Sequence, residues 1–484
     1  MKKIFILFVA LTSIAASGCK KYLDVKPKGY TIPSTFDDYQ KLLNNQSLAG
    51  SSSPYANFLT DNLRAGETND PNRATEYPLM GLELRNLYEF KGGAIFDPAA
   101  ADPFWETAYA HIYVYNTVVN NIEKVSDGSD ISRKQMKAEA QIGRAFEYLM
   151  LVNGYSKHYN PSTAASDLGV PIILTEDINA PYTRHTVAEV YAQVKKDLDE
   201  ALPNLAATVP NIFHPGKSVG FAFLSKMYLY MGNYAEALKN ANEALKINSA
   251  LIDYSLYTTK NGTTFGRVVT KANVLVTFPD GYKSTESIWA RVPGSASLSS
   301  LDAKLYASDD LINTYRTNLP AGATDQRLAL FFCDGQSNFG SAPVLFPGRF
   351  LWAPYIQPNL GFSTPELYLI AAECEARIGD KNRAVGYLNT LRKSRIINNT
   401  DLSAGTNDIA LRLTLDERRR EMPYLGITRL IDLKRLNMES GFAKTVTHQV
   451  GTQSYLLPAN DNRYILPVPQ KVLDFNPTIP QYQR

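Results

Sequence analysis

In KAEAQIGRAFEYLMLVNGY, the residues Ala138, Ile142, Ala145, Leu149, Val152 and Tyr155 recur at three- and four-residue steps, the spacing of one buried helix face. VAEVYAQVKKDLDEAL repeats the pattern through Val187, Val190, Val194, Leu198 and Ala201. WETAYAHIYVYNTVVNNI predicts another helix, from Trp105 to about Ile122. FLSKMYLYMGNYAEALKNANEALKIN predicts two helices that meet at Met231-Gly232-Asn233. LYLIAAECEARIGDKNRAVGYLNTLRKSRI repeats that arrangement, with Gly379 and Ala384 in the places of Gly232 and Ala237.

The spacing of Tyr228, Gly232, Ala237 and Ala244 matches the tetratricopeptide repeat, in which small residues let paired helices approach closely. Ala237 and Ala384 lie 147 residues apart, so the helix pairs are expected to be interrupted by long insertions instead of forming a continuous array. Residues 251–361 are rich in Thr, Ser, Gly, Pro and aromatics, with short β-type runs such as VLVTF and SIWARV; residues 50–103 are similarly irregular. The density of Tyr, Phe and Trp argues for ordered loops, and such loops on a helical scaffold are where binding usually resides. The predicted fold is therefore mostly α: tetratricopeptide-like helix pairs forming a superhelical scaffold, with long irregular loops and a few short β-strands. One compact domain is expected over 19–484, with an N-terminal helical part (19–250), a loop-rich insertion (251–361) and a C-terminal helical part (362–484).

The amino terminus follows a different rule. Lys2 and Lys3 precede an apolar run from Ile4 to Ala16, and the small residues Ala16, Ser17 and Gly18 lead into Cys19. A positive start, a short apolar stretch and small residues make a secretory signal, and the run is too short to span a bilayer, which takes about 20 apolar residues. The segment resembles a bacterial lipoprotein signal, although Ala16 stands where its strongest form carries Leu. That resemblance implies removal of residues 1–18 and lipidation of Cys19. Each buried acyl CH₂ contributes about 0.8 kcal/mol, so acyl chains would anchor the protein to a membrane surface without crossing it.

Loss of the signal leaves 466 residues with 48 basic and 47 acidic side chains, a balance of +1 that argues against nucleic acid as a partner. Only Cys333 and Cys374 remain besides Cys19, too few for a disulfide framework; whether they pair stays open. Five scattered histidines without a His-x-x-x-His pair point to no metal, and no cofactor is expected. Tyrosine stands out, at 29 against 3 tryptophans. Its apolar face and polar tip suit flat, hydroxylated ligands, though most of these rings are expected to pack between helices.

Taken in order along the chain, CKKYLDVKPKG, Trp105-x-x-x-Tyr109-x-x-Ile112-x-x-x-Asn116, RAFEYLMLVNGYSKHYN with GVPII, TESIWA, ERRREMPYLGITRLIDLKRL and LPVPQKVLDFNPTIPQ resemble the SusD/RagB family of outer-membrane nutrient-binding lipoproteins. Leu425 stands before Gly426 where the family usually has Glu, and the stretch from Gly426 to Asp432 is one residue long against its pattern. The resemblance implies a lipid-anchored outer-membrane protein facing the cell exterior. Such a protein captures oligosaccharides, or in some branches peptides, and passes them to a SusC-like TonB-dependent transporter. No family motif transfers ligand contacts residue by residue. On chemistry alone, the first loop region offers Asp61, Arg64, Asn69, Tyr77 and Tyr88, and the second offers Tyr282, Trp352 and Tyr355. Trp289 is set aside because its strand context suggests core.

Two other classes remain. A surface glycoside hydrolase needs two carboxylates about 5–9.5 Å apart, which DERRRE or TESIW could supply, although no nucleophile-elbow, phosphate-loop or zinc-helix motif occurs. A scaffold would bind only protein. The charged segment itself reads as a buried structural network, with Glu417 and Glu421, and Arg429 and Asp432, spaced for ion pairing along a helix.

Overall fold

Side-chain caps fix where the main helices begin. Thr186 and Glu189 form a reciprocal capping box, Asp102 caps a helix whose first residue is Pro103, and Asp380 accepts from the amides of Asn382 and Arg383. The computed structural model describes residues 33–51, 53–65, 77, 80–177, 182–260, 268–293, 305–339, 342–352 and 358–484. Fourteen α-helices occur among them. In the N-terminal part they are α1 (Phe36–Leu43), α2 (Leu82–Tyr88), α3 (Pro103–Asn121), α4 (Asp130–Tyr155), α5 (Val187–Ala201), α6 (Lys217–Tyr230) and α7 (Tyr234–Ile247). Then follow α8 (Asp309–Thr314), α9 (Gln326–Phe331), α10 (Thr364–Ile378), α11 (Lys381–Lys393), α12 (Asn407–Glu421), α13 (Thr428–Leu436) and α14 (Gln470–Phe475). None is long and apolar enough to cross a membrane.

The predicted stripes are buried: Ala138, Ile142, Ala145, Leu149, Val152 and Tyr155 on α4, and Val187, Val190, Val194, Leu198 and Ala201 on α5. Both tetratricopeptide-like pairs form as read, α6 with α7 and α10 with α11, and Gly232 makes the first turn with φ +74°, a conformation that costs glycine little. The sequence distance between them misleads, however. Helix α10 packs directly on α7, so the two pairs stack as neighbours and the intervening 116 residues leave and rejoin the stack. Helices α3, α4 and α5 extend the layering on one side and α12 on the other.

Strands occur as seven two-stranded ladders among the described residues, and most join segments far apart in sequence. Residues 50–51 pair in parallel with 292–293, 63–65 antiparallel with 305–307, and 287–289 with 362–363, which fastens the insertion to the helices. VLVTF, read as a β-type run, is instead a turn at Val274–Val276 with one bridge, Thr277 to Val269. Its three aliphatic side chains are exposed, so no sheet face exists there to hold a strand.

The C-terminal charges lie in the interior. Glu417 meets Arg327 (2.6 Å), Arg420 (2.8 Å) and Arg392 (2.9 Å), and Asp432 meets Arg418 (2.8 Å) and Arg435 (2.9 Å). The expected pairing of Arg429 with Asp432 does not form as an ion pair; Arg429 reaches Asp61, 368 residues away, because α13 faces the loop before residue 63. Lys434 donates to the carbonyls of Asn153 (2.6 Å) and Ser156 (2.5 Å), covering the open end of α4 where cations are favoured. Cys374 is a buried free thiol, and the Cys333 side chain lies outside the described residues.

Candidate functional site

A cleft of about 1140 Å³ opens between α1 and its following turn, the first half of α4, the loop 210–215 and the segment from Tyr282 to Val292. Each wall is held for a local reason. Trp289 Nε1 donates to the Phe213 carbonyl (3.0 Å) and the Ala290 amide to the Ile212 carbonyl (2.7 Å), so loop and strand move as one unit. Tyr115 comes from α3 and reaches the cleft because residue 143 on α4 is glycine; any Cβ there would strike its ring.

The lining combines rings with neutral hydrogen-bonding groups. Phe213 and Tyr282 stack at 6.2 Å between centroids, 28° from parallel, and Phe213 is 41% exposed. Gln40, Asn44, Asn45, Gln46, Ser132, Gln135 and Asn211 supply amides and a hydroxyl. Beneath them Arg291 is buried, its guanidinium 3.4 Å from the centre of the Trp289 ring; Nη2 donates to the Tyr115 hydroxyl (3.2 Å) and Nη1 to the Ala290 carbonyl (3.1 Å). Burial depresses its pKa.

Glu139 is the one carboxylate among the described lining residues; it accepts from His214 Nδ1 (2.8 Å) and from Gln135 (3.1 Å). The Glu139 hydrogen bond raises His214 above the ordinary histidine value, against the effect of partial burial. With the folded value raised, the pair's stabilisation is fully present below about pH 6.5 and is lost as pH rises through the folded value. The stability gap between wild type and His214→Gln should therefore close in urea titrations run from about pH 5 to about pH 8. A gap that does not change with pH would deny the pair a proton-linked role.

Of the residues chosen from sequence, Tyr282 lies in the cleft wall. Arg64 sits on strand 63–65, bonded to Asp309 at 3.0 Å, where the bases of the two irregular regions meet through the pairing with 305–307. Trp352 ends strand 342–352, which also runs against 305–307. Asp61, Tyr77 and Tyr88 are placed differently from the expectation. Asp61 is buried with Arg429 (2.7 Å), Lys444 (2.5 Å) and Arg419 (3.3 Å). Burial alone would raise its carboxyl pKa, but these three cations hold it well below the usual range. Tyr88 is fully buried, stacked on His448 at 4.1 Å, its hydroxyl accepting from the Ala65 amide. Tyr77 is buried with its hydroxyl on Glu89. Asn69, Tyr355 and Cys19 lie outside the described residues.

Sequence reasoning missed Phe213, His214, Glu139 and Arg291. The run NIFHPG, an aromatic and a histidine between turn formers, was the available signal for the first two. Trp289 is buried as expected, packed on Phe146 and Phe362, yet it also borders the cleft.

Residues 21–229 match the family model described as "Starch-binding associating with outer membrane", and residues 364–483 match that of the SusD family. The chain belongs to the SusD/RagB family. Solved members share its fold. A SusD superfamily protein from Bacteroides thetaiotaomicron VPI-5482 is 22% identical with a TM-score of 0.65, over 93% of this chain and 100% of that one. A SusD-like carbohydrate binding protein from Bacteroides vulgatus ATCC 8482 is 17% identical (TM-score 0.64; 92% and 98%). A laminarin binding SusD-like protein is 16% identical (TM-score 0.57; 91% and 98%). No curated protein sequence matches this family member.

Proposed function

We propose that the protein captures oligosaccharides without cleaving them, held to the outer membrane through lipidated Cys19 and facing outward, and passes them to a SusC-like TonB-dependent transporter. The cleft carries the reading. Sugar rings present C–H faces that pack on aromatic rings such as Phe213 and Tyr282, and their hydroxyls need the amides that line the rest. The carbohydrate- and laminarin-binding relatives and the family's outer-membrane description support the same reading. Glycosidic hydrolysis uses two carboxylates across the scissile bond; the cleft lining holds Glu139, engaged with His214 and Gln135.

Native gels containing single polysaccharides, run beside assays for new reducing ends, test both halves. Retardation by a glycan without new ends is the expected result; new ends from pure protein would overturn it. Tyr282→Ala should weaken retention about ten-fold, as loss of a stacking ring does, with the unfolding midpoint nearly unchanged. Unaltered retention would move the ligand to the strands carrying Arg64 and Trp352.

A further inference from the structure

One cation of the cleft, Arg291, has no salt bridge of its own among the described residues. Among its described lining side chains only Glu139, His214 and Arg291 carry or can gain charge near neutral pH. Glu139 and His214 are bonded to each other. Arg291 forms no ion pair among the described residues, and its Nε finds no hydrogen-bond partner. The two groups that accept from it, the Tyr115 hydroxyl and the Ala290 carbonyl, are uncharged. Glu147, which acts on it through space, is bonded to His111 Nδ1 (2.9 Å) and lies outside the lining. Beside the wall residue Tyr282 a second cation, the exposed Lys283, places its Nζ 5.2 Å from the Tyr282 ring and likewise has no ion-pair partner among the described residues.

A buried cation whose acidic neighbour is itself bonded to a histidine is incompletely compensated, and its field in a low-dielectric wall reaches across a cleft more strongly than it would through water. The most direct compensation is an anion supplied by the ligand. Resting on the capture reading, we propose that this cleft takes acidic oligosaccharides, chains bearing carboxylate or sulfate groups, in preference to neutral chains of the same backbone. Tyr282 and Phe213 hold the sugar faces, and the anionic group is drawn by Lys283 beside Tyr282 and by Arg291 on the Trp289 ring.

The test is calorimetric titration of the full-length protein in uncharged detergent with matched glycan pairs. Oligogalacturonate is set against its methyl ester, and a sulfated galactan oligomer against its desulfated form; the two pairs separate carboxylate from sulfate. The acidic member of one pair should bind about ten-fold more tightly, with a preference that falls as salt rises from about 0.02 M to about 0.5 M. Lys283→Gln, a surface change, should cut the preference about three-fold, and Arg291→Gln should cut it further in protein verified as folded. Equal or tighter binding of the neutral members overturns the proposal and leaves capture standing. A preference that both variants leave unchanged overturns it by placing the charge elsewhere. Failure of every glycan tried, neutral or acidic, removes the capture reading and this inference with it.

Discussion

Replacing Glu417 by glutamine is expected to lower stability by about 3–5 kcal/mol, the range for removing one partner from a buried ion cluster. The side chain is completely buried on α12 against three guanidinium groups. Arg327 would keep Asp325 (2.7 Å) and Glu421 (2.8 Å), but among the described residues Arg392 and Arg420 have Glu417 as their ion-pair partner and would otherwise hold only the carbonyls of Asn318 and Thr314. Glutamine keeps the shape and removes the charge, leaving two buried cations with neutral acceptors. Burial alone would raise the Glu417 pKa, but Arg327, Arg420 and Arg392 hold it far below the usual value. Its folded pKa being depressed, this contribution is present above the ordinary glutamate pKa and disappears as pH falls through the folded value. Urea unfolding near neutral pH should show a lower midpoint with unchanged slope. A shift worth less than about 1 kcal/mol would mean that water or relaxation relieves the arginines.

Asp61→Asn carries the second large expectation, a loss of about 3 kcal/mol or more, because Arg429 relies on this carboxylate through a two-pronged contact (2.8 and 2.7 Å). Asp61 was also a ligand candidate on sequence grounds, so the variant separates two roles. Measured at a temperature where the variant remains folded, glycan retention should equal that of wild type. Lost retention with undiminished stability would return Asp61 to the binding site.

Helix pairs were legible because their signal is local: Tyr228, Gly232, Ala237 and Ala244 lie on two helices, and the turn between them, that follow each other directly in the chain and pack together. The stacking of α10 on α7 was not, since no residue in either helix records its distance from the other. The charged segment was legible as a buried network but not in its pairings. Helical spacing suggests Arg429 with Asp432, whereas three-dimensional neighbours decide for Asp61. Candidate binding residues were harder still. A tyrosine that packs and a tyrosine that binds look alike in sequence; Tyr88 and Tyr282 differ only in what the fold places above the ring.

The 116 residues that leave the stack after Ile247 and return at Thr364 have a consequence for how such proteins diversify. Closing a loop costs free energy that grows only with the logarithm of its length, about 0.6 kcal/mol for each doubling. Once the α7–α10 contact has formed, lengthening the exposed loops of the segment strung between those helices changes stability little, provided that its buried anchors, Trp289 and Arg327 among them, are kept. Selection can therefore rewrite the surface offered to a new diet while the helices beneath stay as they are, and a lineage can acquire a taste for another polymer without first inventing another fold.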